Sequence, residues 1–217
     1  MMEIKQAILA ADRINRPGID NPCQYITIHN TGNFKAGAHA AAHAAWLQTV
    51  NELVSWHYTV DDMEIYQHLP DDETAYHAGD GSGDGNRKSI AIEICVNADG
   101  NLLAATENAA RLAARLCRKH NISLENIVQH HHWSGKNCPA QLRGNEPYSW
   151  EMFLSKVAAE LQELPKAWAL QAADWSIAQN IIRGDGMSYN WQQPVSREEL
   201  AVILYRFKNS LFFTEKL

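Results

Sequence analysis

The sequence predicts an α/β fold in which a mixed central β-sheet is flanked by helices. Short segments alternate apolar and polar residues with the period of two that half-buried strands show, and longer segments between them have helical apolar spacing. Strands interleaved with long helices are typical of a sheet that helices cover. With 46% hydrophobic and 20% charged residues in a chain of 217, there is enough apolar surface for a real core.

Two segments carry the clearest strand pattern. In residues 25–29 two isoleucines point to one face, and the polar residues, His29 among them, point to the other. In residues 90–95 three isoleucines share one face, with Glu93 on the opposite face. A polar residue in such a strand is costly unless it is paired or used. His29 and Glu93 are therefore the first candidates for function.

The remaining elements follow from the same two periods. Residues 56–61 and 64–69 predict a strand pair joined by a turn at residues 62–63. Helical patterns cover residues 38–51, 105–120 and 149–164.

Charge and residue type change near residue 164. Residues 1–164 hold 13 Lys and Arg against 20 Asp and Glu, and all ten histidines. Residues 165–217 hold 6 basic against 5 acidic residues, and three of the seven tryptophans. Pro165 follows the third helical pattern, and proline readily ends a helix. We therefore predict two domains, 1–164 and 165–217, of which the second is a small α-helical hairpin.

Composition also excludes several classes of protein. The net charge of −6 argues against a nucleic-acid binder, which needs a basic surface. No apolar run approaches 18 residues, so we expect no membrane span. Residues 1–6 lack the basic start and apolar stretch of a secretory signal. We expect synthesis in the cytoplasm, without export by the signal-peptide route.

One loop has the spacing of a metal site. His130 and Cys138 lie eight residues apart, and the Ser134-Gly135 pair between them allows the chain to fold back. With His29 they would form a His/His/Cys set with an open fourth position, which is typical of catalytic zinc. On spacing alone, the alternative of solvated or core histidines is favoured for each position.

The other histidines and cysteines give weaker evidence for a metal site or a disulfide. His39 and His43 are four residues apart, but only alanines separate them, so the general-base glutamate of H-E-x-x-H zinc sites is absent. The four cysteines form no C-x-x-C pair. Buried free thiols are expected in a reducing compartment, and a disulfide between Cys23 and Cys95 is the alternative.

Five motifs occur in a fixed order between about residues 20 and 160. They are Tyr25-Ile26-Thr27-Ile28-His29-Asn30-Thr31-Gly32, Ser55-Trp56-His57-Tyr58, Ala75-Tyr76-His77-Ala78-Gly79, Asn86 with Ser89-Ile90-Ala91-Ile92-Glu93, and His130 with Lys136-Asn137-Cys138-Pro139. This set resembles the type 2 N-acetylmuramoyl-L-alanine amidases, which are phage endolysins and bacterial autolysins related to the peptidoglycan recognition proteins. The resemblance implies a mixed sheet flanked by helices, with zinc in a surface groove.

The resemblance also implies roles for individual residues. One zinc ion per chain would be held by His29, His130 and Cys138. Glu93 matches the acidic catalytic residue, and Lys136 matches a catalytic lysine. The positions that match the substrate groove are Trp56, His77, Asn86 and Trp133. Trp56 departs from the members that have a catalytic tyrosine there, which leaves acid–base catalysis to Glu93.

The implied reaction is hydrolysis of the amide bond between N-acetylmuramic acid and L-alanine in peptidoglycan. Two alternatives stay open: a peptidoglycan-binding protein without activity, and a zinc hydrolase that cuts another cell-wall amide bond. The missing export signal suits an endolysin that reaches the wall after release. An autolysin exported by another route is the alternative.

The C-terminal segment is similar to a single S-layer homology motif. Residues 167–209 read as two amphipathic helices around the turn Gly184-Asp185-Gly186, and Ser196 and Glu199 form a capping box. Ser196, Arg197 and Glu199 match the segment that contributes to ligand binding in that family. The resemblance implies attachment to a secondary cell-wall polymer, with association between chains as a further option. The alternative is a purely structural helical hairpin.

Overall fold

A computed structural model describes residues 2–144, 147–163, 165–183, 189, 191 and 194–212. The chain divides into two compact units, Met1–Ala158 and Ala159–Leu217. This division falls a few residues before the predicted boundary at residue 164. The functional assignment of the two parts stays a prediction.

The first unit is built on a six-stranded mixed sheet. Its strands are β1 (Ile4–Gln6), β2 (Tyr25–Asn30), β3 (Tyr58–Val60), β4 (Ile65–Gln67), β5 (Ser89–Ile94) and β6 (Ile127–Gln129). Their order across the sheet is β1-β4-β3-β5-β2-β6. The pair β3–β4 is antiparallel, as the predicted hairpin requires, and the other pairs are parallel.

Helices cover this sheet, which confirms the predicted fold class. They are α1 (Ala40–Leu47), α2 (Asp84–Lys88), α3 (Leu102–His120), α4 (His131–Ser134) and α5 (Trp150–Glu163), the last of which crosses the division between the units. The long helix α3 contacts β3 and β5. It begins after Asn101, whose side chain accepts the N–H of Ala104, and ends at Asn121 in the left-handed conformation.

The central strands are more deeply buried than their sequence pattern predicts. All four residues from Ile26 to His29 in β2 are at most 2% exposed, so the expectation of a half-buried strand is wrong there. The reason is topological. Parallel strands in the middle of a sheet are covered on both faces, and β2 lies between β5 and β6.

The second unit contains two longer helices, α6 (Leu170–Ala178) and α7 (Arg197–Phe212). The predicted turn at residues 184–186 and the predicted helix end at Leu164 lie outside the described residues. The capping box forms as predicted: the Ser196 Oγ accepts the Glu199 N–H at 3.1 Å, and a Glu199 carboxylate oxygen accepts the Ser196 N–H at 2.8 Å. Across both units, none of the described helices is long and apolar enough to cross a membrane.

Candidate metal centre

Three parallel strands bring the candidate residues together. In the register of β2 and β5, His29 is paired with Glu93, near the carboxyl end of each strand. On the other side of β2, strand β6 ends at Gln129, and His130 follows directly. Carboxyl ends of adjacent parallel strands are the usual place for a site in such a sheet. Cys138 returns to the same edge, where its carbonyl accepts the backbone N–H of His131 at 3.0 Å.

His29, His130 and Cys138 form a compact and buried donor set. Their candidate ligand atoms all lie within 4.8 Å of one another. The residues are 2%, 4% and 5% exposed. Among the described residues this is the one such group of three, so His39 and His43 belong to none.

The orientation of His130 leaves one ring nitrogen for a ligand. Its Nε2 lies 2.9 Å from the carbonyl oxygen of Ala78. Because a carbonyl only accepts, Nε2 must carry the hydrogen, and Nδ1 presents a lone pair. That Nδ1 is buried and has no hydrogen-bond partner within the described part of the chain. A buried polar atom without a partner is costly, and a bound metal would remove the cost.

His29 presents the same nitrogen to the site. Its Nδ1 lies 3.9 Å from the Cys138 Sγ and 3.8 Å from a carboxylate oxygen of Glu93. Its Nε2 lies 3.0 Å from the Nδ1 of His77. His29 therefore turns its Nδ1 toward the cysteine, and both histidines bond through Nε2 to the protein behind them.

The pKa directions agree with a site made for a cation. Burial lowers the pKa of His29 well below its usual value of 6.5 and also lowers the pKa of His130. Both rings are therefore uncharged, and each has a nitrogen lone pair that can bind a metal. Burial raises the pKa of the Cys138 thiol to about 11, with the Glu93 charge as a further cause. A metal that binds the Cys138 sulfur must therefore displace a proton.

Glu93 is a buried carboxyl group with little support. Its side chain is 13% exposed, and its Oε2 is buried with no hydrogen-bond partner among the residues described. Burial raises the pKa of Glu93 to about 8, and the charge of Lys136 opposes this rise. Lys136 lies exposed on the loop between α4 and Cys138, and its charge also lowers the pKa of both histidines.

The donor set fits zinc. Two imidazole nitrogens and a thiolate are ligands that zinc prefers, and three protein ligands leave the fourth position open, as in catalytic sites. The unpartnered Nδ1 of His130 gives a physical reason to expect a ligand there.

The predicted groove residues lie near this centre or deeper in the fold. Trp133 is partly exposed, and its indole N–H donates to the Thr27 hydroxyl at 2.9 Å. Trp56 is 7% exposed, belongs to an apolar core cluster, and donates its indole N–H to Thr59 at 2.7 Å.

Asn86 is also 7% exposed, and its Oδ1 accepts the backbone N–H groups of His77 and Ala78 at 2.7 and 2.8 Å. Contact of Trp56, His77, Asn86 and Trp133 with substrate stays a prediction.

Sequence reasoning missed two polar residues behind the site. Thr27 and Ser89 are fully buried on β2 and β5, and their hydroxyl oxygens are 2.8 Å apart. A signal for them exists in the strand period, because Thr27 lies two residues before His29 and shares its face.

The four cysteines are free and buried, so the thiol expectation is confirmed over a Cys23–Cys95 disulfide.

Comparison with known proteins gives consistent results. The sequence profile of a family described as N-acetylmuramoyl-L-alanine amidase matches residues 19–141. N-acetylmuramoyl-L-alanine amidase XlyA of Bacillus subtilis (strain 168) is 52% identical over 153 residues, which cover 70% of this chain and 50% of XlyA. N-acetylmuramoyl-L-alanine amidase CwlH of the same organism is 48% identical over 160 residues, which cover 73% of this chain and 62% of CwlH.

A solved structure of the XlyA catalytic domain aligns with a TM-score of 0.69 at 50% identity, covering 72% of this chain and 99% of that domain. This chain therefore matches the whole of a solved catalytic domain, but only half of XlyA and 62% of CwlH.

Proposed function

Because this chain belongs to the N-acetylmuramoyl-L-alanine amidase family, we propose that it hydrolyses the amide bond between N-acetylmuramic acid and L-alanine in peptidoglycan. The observation that carries the proposal is the buried His29, His130 and Cys138 set with Glu93 beside it. We propose zinc as the cofactor, one ion per chain. The substrate places the action of the protein at the cell wall.

The chemistry divides among few groups. Zinc bound by His29, His130 and Cys138 would supply a Lewis acid that polarises a carbonyl and makes water more acidic. The Glu93 carboxylate takes a proton from the attacking water and returns it to the leaving amine. The Lys136 ammonium stabilises negative charge on the carbonyl oxygen of the substrate.

A binding protein without activity is the alternative from another class. Such a protein needs no acid–base group beside the donor set. In this chain the Glu93 Oε1 lies 3.8 Å from the His29 Nδ1, and the Glu93 Oε2 is buried without a hydrogen-bond partner among the described residues. A carboxyl group in this position is costly to the folded state and useful to a hydrolase, so it favours catalysis over binding alone.

Digestion of purified cell walls tests the proposal. Cutting the proposed bond frees stem peptides that begin with the amino group of L-alanine and leaves glycan chains intact, which mass spectrometry detects. The Cys138→Ser variant is the matched control, because it removes one zinc ligand with little change in volume, and it should release no such peptides. Peptides cut at another bond would overturn the substrate assignment, and absence of any product would favour the binding alternative.

Metal dependence is tested on the same substrate. A chelator should abolish product release, and added zinc should restore it. Activity that survives removal of all bound metal would overturn the cofactor assignment.

For the second unit we propose a role in attachment to a secondary cell-wall polymer through an S-layer-homology-like motif. Ser196, Arg197 and Glu199 lie exposed at the start of α7, and the Ser196–Glu199 capping box presents Arg197 between its two members. Exposed apolar residues along α7, including Tyr205 at 67% exposure, are consistent with a surface that contacts another molecule.

Retention of the full chain on purified walls tests this role. Arg197→Ala should lower retention, whereas Lys208→Ala should not, although it removes the same charge from another exposed position of α7. Equal retention of both variants and the wild type would favour the structural-hairpin alternative.

A further inference from the structure

We infer that His77 is a positioning residue that holds His29 in the one tautomer able to offer Nδ1 to a metal. The inference deepens the proposed zinc site and rests on it. It is carried by a chain of hydrogen bonds that runs from the Gly85 carbonyl through Ser89 and His77 to His29, and each bond in the chain has a direction that its neighbours determine.

The direction is set at the far end of the chain. Ser89 has one hydroxyl hydrogen, and its shortest contact is with the Gly85 carbonyl oxygen at 2.6 Å, which only accepts. The Ser89 oxygen must then accept from its other two neighbours. These are the Thr27 hydroxyl at 2.8 Å and the His77 Nε2 at 3.3 Å. The indole N–H of Trp133 can only donate, so the Thr27 oxygen accepts from it. The hydroxyl hydrogen of Thr27 is therefore free for Ser89.

The tautomers of both histidines follow from this. Since Ser89 accepts, the Nε2 of His77 carries the hydrogen, and its Nδ1 is a bare acceptor. The Nε2 of His29, 3.0 Å from that acceptor, must then donate. His29 is left with its lone pair on Nδ1, the atom 3.9 Å from the Cys138 sulfur. Ligand histidines are commonly fixed in this way by an acceptor behind them.

The same short segment supports the second histidine. The carbonyl of Ala78, the residue after His77, accepts from the Nε2 of His130 at 2.9 Å. The backbone N–H groups of His77 and Ala78 both donate to the Oδ1 of Asn86. One buried amide therefore holds the segment from which both imidazoles receive their orientation.

The surroundings leave this segment little freedom. Thr27 and Ser89 are fully buried on the adjacent strands β2 and β5. At Gly85 an added Cβ would lie 2.5 Å from the Ala78 Cβ and 2.7 Å from the Trp133 Cγ, so the backbone there is packed tightly against both. The hydrogen bonds in this tightly packed region therefore have a single set of donor and acceptor directions.

Zinc affinity, measured by competition with a chromogenic chelator, tests the inference on the full chain. His77→Ala should weaken zinc binding by about 10–100-fold, the usual cost of losing the partner of a ligand. His77→Asn places an amide oxygen near the position of Nδ1 and should recover most of the lost affinity. His68→Ala is the control, because His68 is a buried histidine that bonds Thr59 instead of a ligand, and it should bind zinc as the wild type does.

The tautomer itself gives a readout that packing alone would not change. Nitrogen NMR of the metal-free wild type should show His29 protonated at Nε2 only, and His77→Ala should show a mixture of both tautomers. Unchanged affinity or an unchanged tautomer in His77→Ala would overturn the positioning role, as would a loss that His77→Asn fails to recover. A wild-type chain that binds no zinc would instead overturn the proposed metal site, and the inference with it.

Discussion

Two buried carboxyl groups in the first unit have opposite surroundings. Asp71, in the loop after β4, has a side chain that is 3% exposed, and its oxygens accept hydrogen bonds from four side chains: Tyr58, Gln67, Lys119 and His120. The side chain of Glu93, near the end of β5, is 13% exposed, and its Oε1 lies 3.8 Å from the Nδ1 of His29. Both side chains are largely buried, but they differ in the hydrogen bonds that their carboxyl oxygens accept.

The pKa values show the consequence. Burial by itself would raise the pKa of Asp71, but the hydrogen bonds from His120, Lys119 and Tyr58 hold that pKa below its usual range. Burial raises the pKa of Glu93 to about 8, and only the charge of Lys136 opposes this rise. The aspartate is a permanent anion at neutral pH, and the glutamate is able to change its charge.

This difference separates a structural carboxylate from a functional one. Lys119 and His120 belong to the last turn of α3, so Asp71 ties the end of that helix to β3 and β4 through Tyr58 and Gln67. The Glu93 Oε1 lies 3.8 Å from the His29 Nδ1, and the Glu93 Oε2 costs the fold a buried oxygen without a hydrogen-bond partner among the described residues. Poorly supported buried groups of this kind concentrate at functional sites.

The largest effect is expected at Glu93. Glu93→Gln should lower product release from purified walls by about 10²–10⁴-fold, the usual contribution of a general acid–base group. Zinc content should be unchanged, because Glu93 is not one of the three donors. Activity per folded molecule of Asp71→Asn is the control and should match the wild type. Near-normal activity of Glu93→Gln would show that Glu93 is not the acid–base group.

Asp71 should show the reverse behaviour, with loss of stability instead of activity. Asp71→Asn replaces an acceptor oxygen with an NH₂ group that faces donors, which should lower the free energy of unfolding by about 2 kcal/mol. Urea denaturation followed by tryptophan fluorescence measures this. Asp72→Asn, at an exposed neighbouring position, is the matched control and should be neutral. A neutral result for Asp71→Asn would mean that its four donors contribute nothing.

The smallest expected effect is a pH dependence of that same difference. A carboxyl group whose pKa is lowered by folding stabilises the native state above its unfolded pKa of about 4, and this contribution is lost as pH falls through the lower native value. The stability difference between wild type and Asp71→Asn should therefore shrink as the pH falls below about 4. If the stability difference does not depend on pH, Asp71→Asn destabilises the protein through altered packing and not through loss of the carboxylate charge.

The parts of the fold that the sequence predicts are those with enough residues to show a period. The six-residue strands β2 and β5 and the long helix α3 were each predicted within a few residues. Strands β1 and β6 have three residues each and were missed. Strands β3 and β4 are equally short, but they lie within longer alternating segments, residues 56–61 and 64–69, which show the period.

The site divides in the same way. His29, His130 and Cys138 were found through motifs, and the structure brings them together. The bond between His29 and His77 joins residues 48 positions apart, so no local pattern contains it. Nothing in the sequence distinguishes the supported Asp71 from its exposed neighbour Asp72, since only the folded chain brings Tyr58, Lys119 and His120 to one of them.

The parallel register of the central sheet also has a consequence for the order of folding. His29 and Cys138 are 109 positions apart, and the parallel pairing of β2 with β6 brings the segment that follows β6 to the end of β2. Pairings between distant segments form late because the entropy of closing long loops is spent first. We expect zinc to bind the finished sheet and to stabilise it by mass action, without guiding the earlier steps of folding.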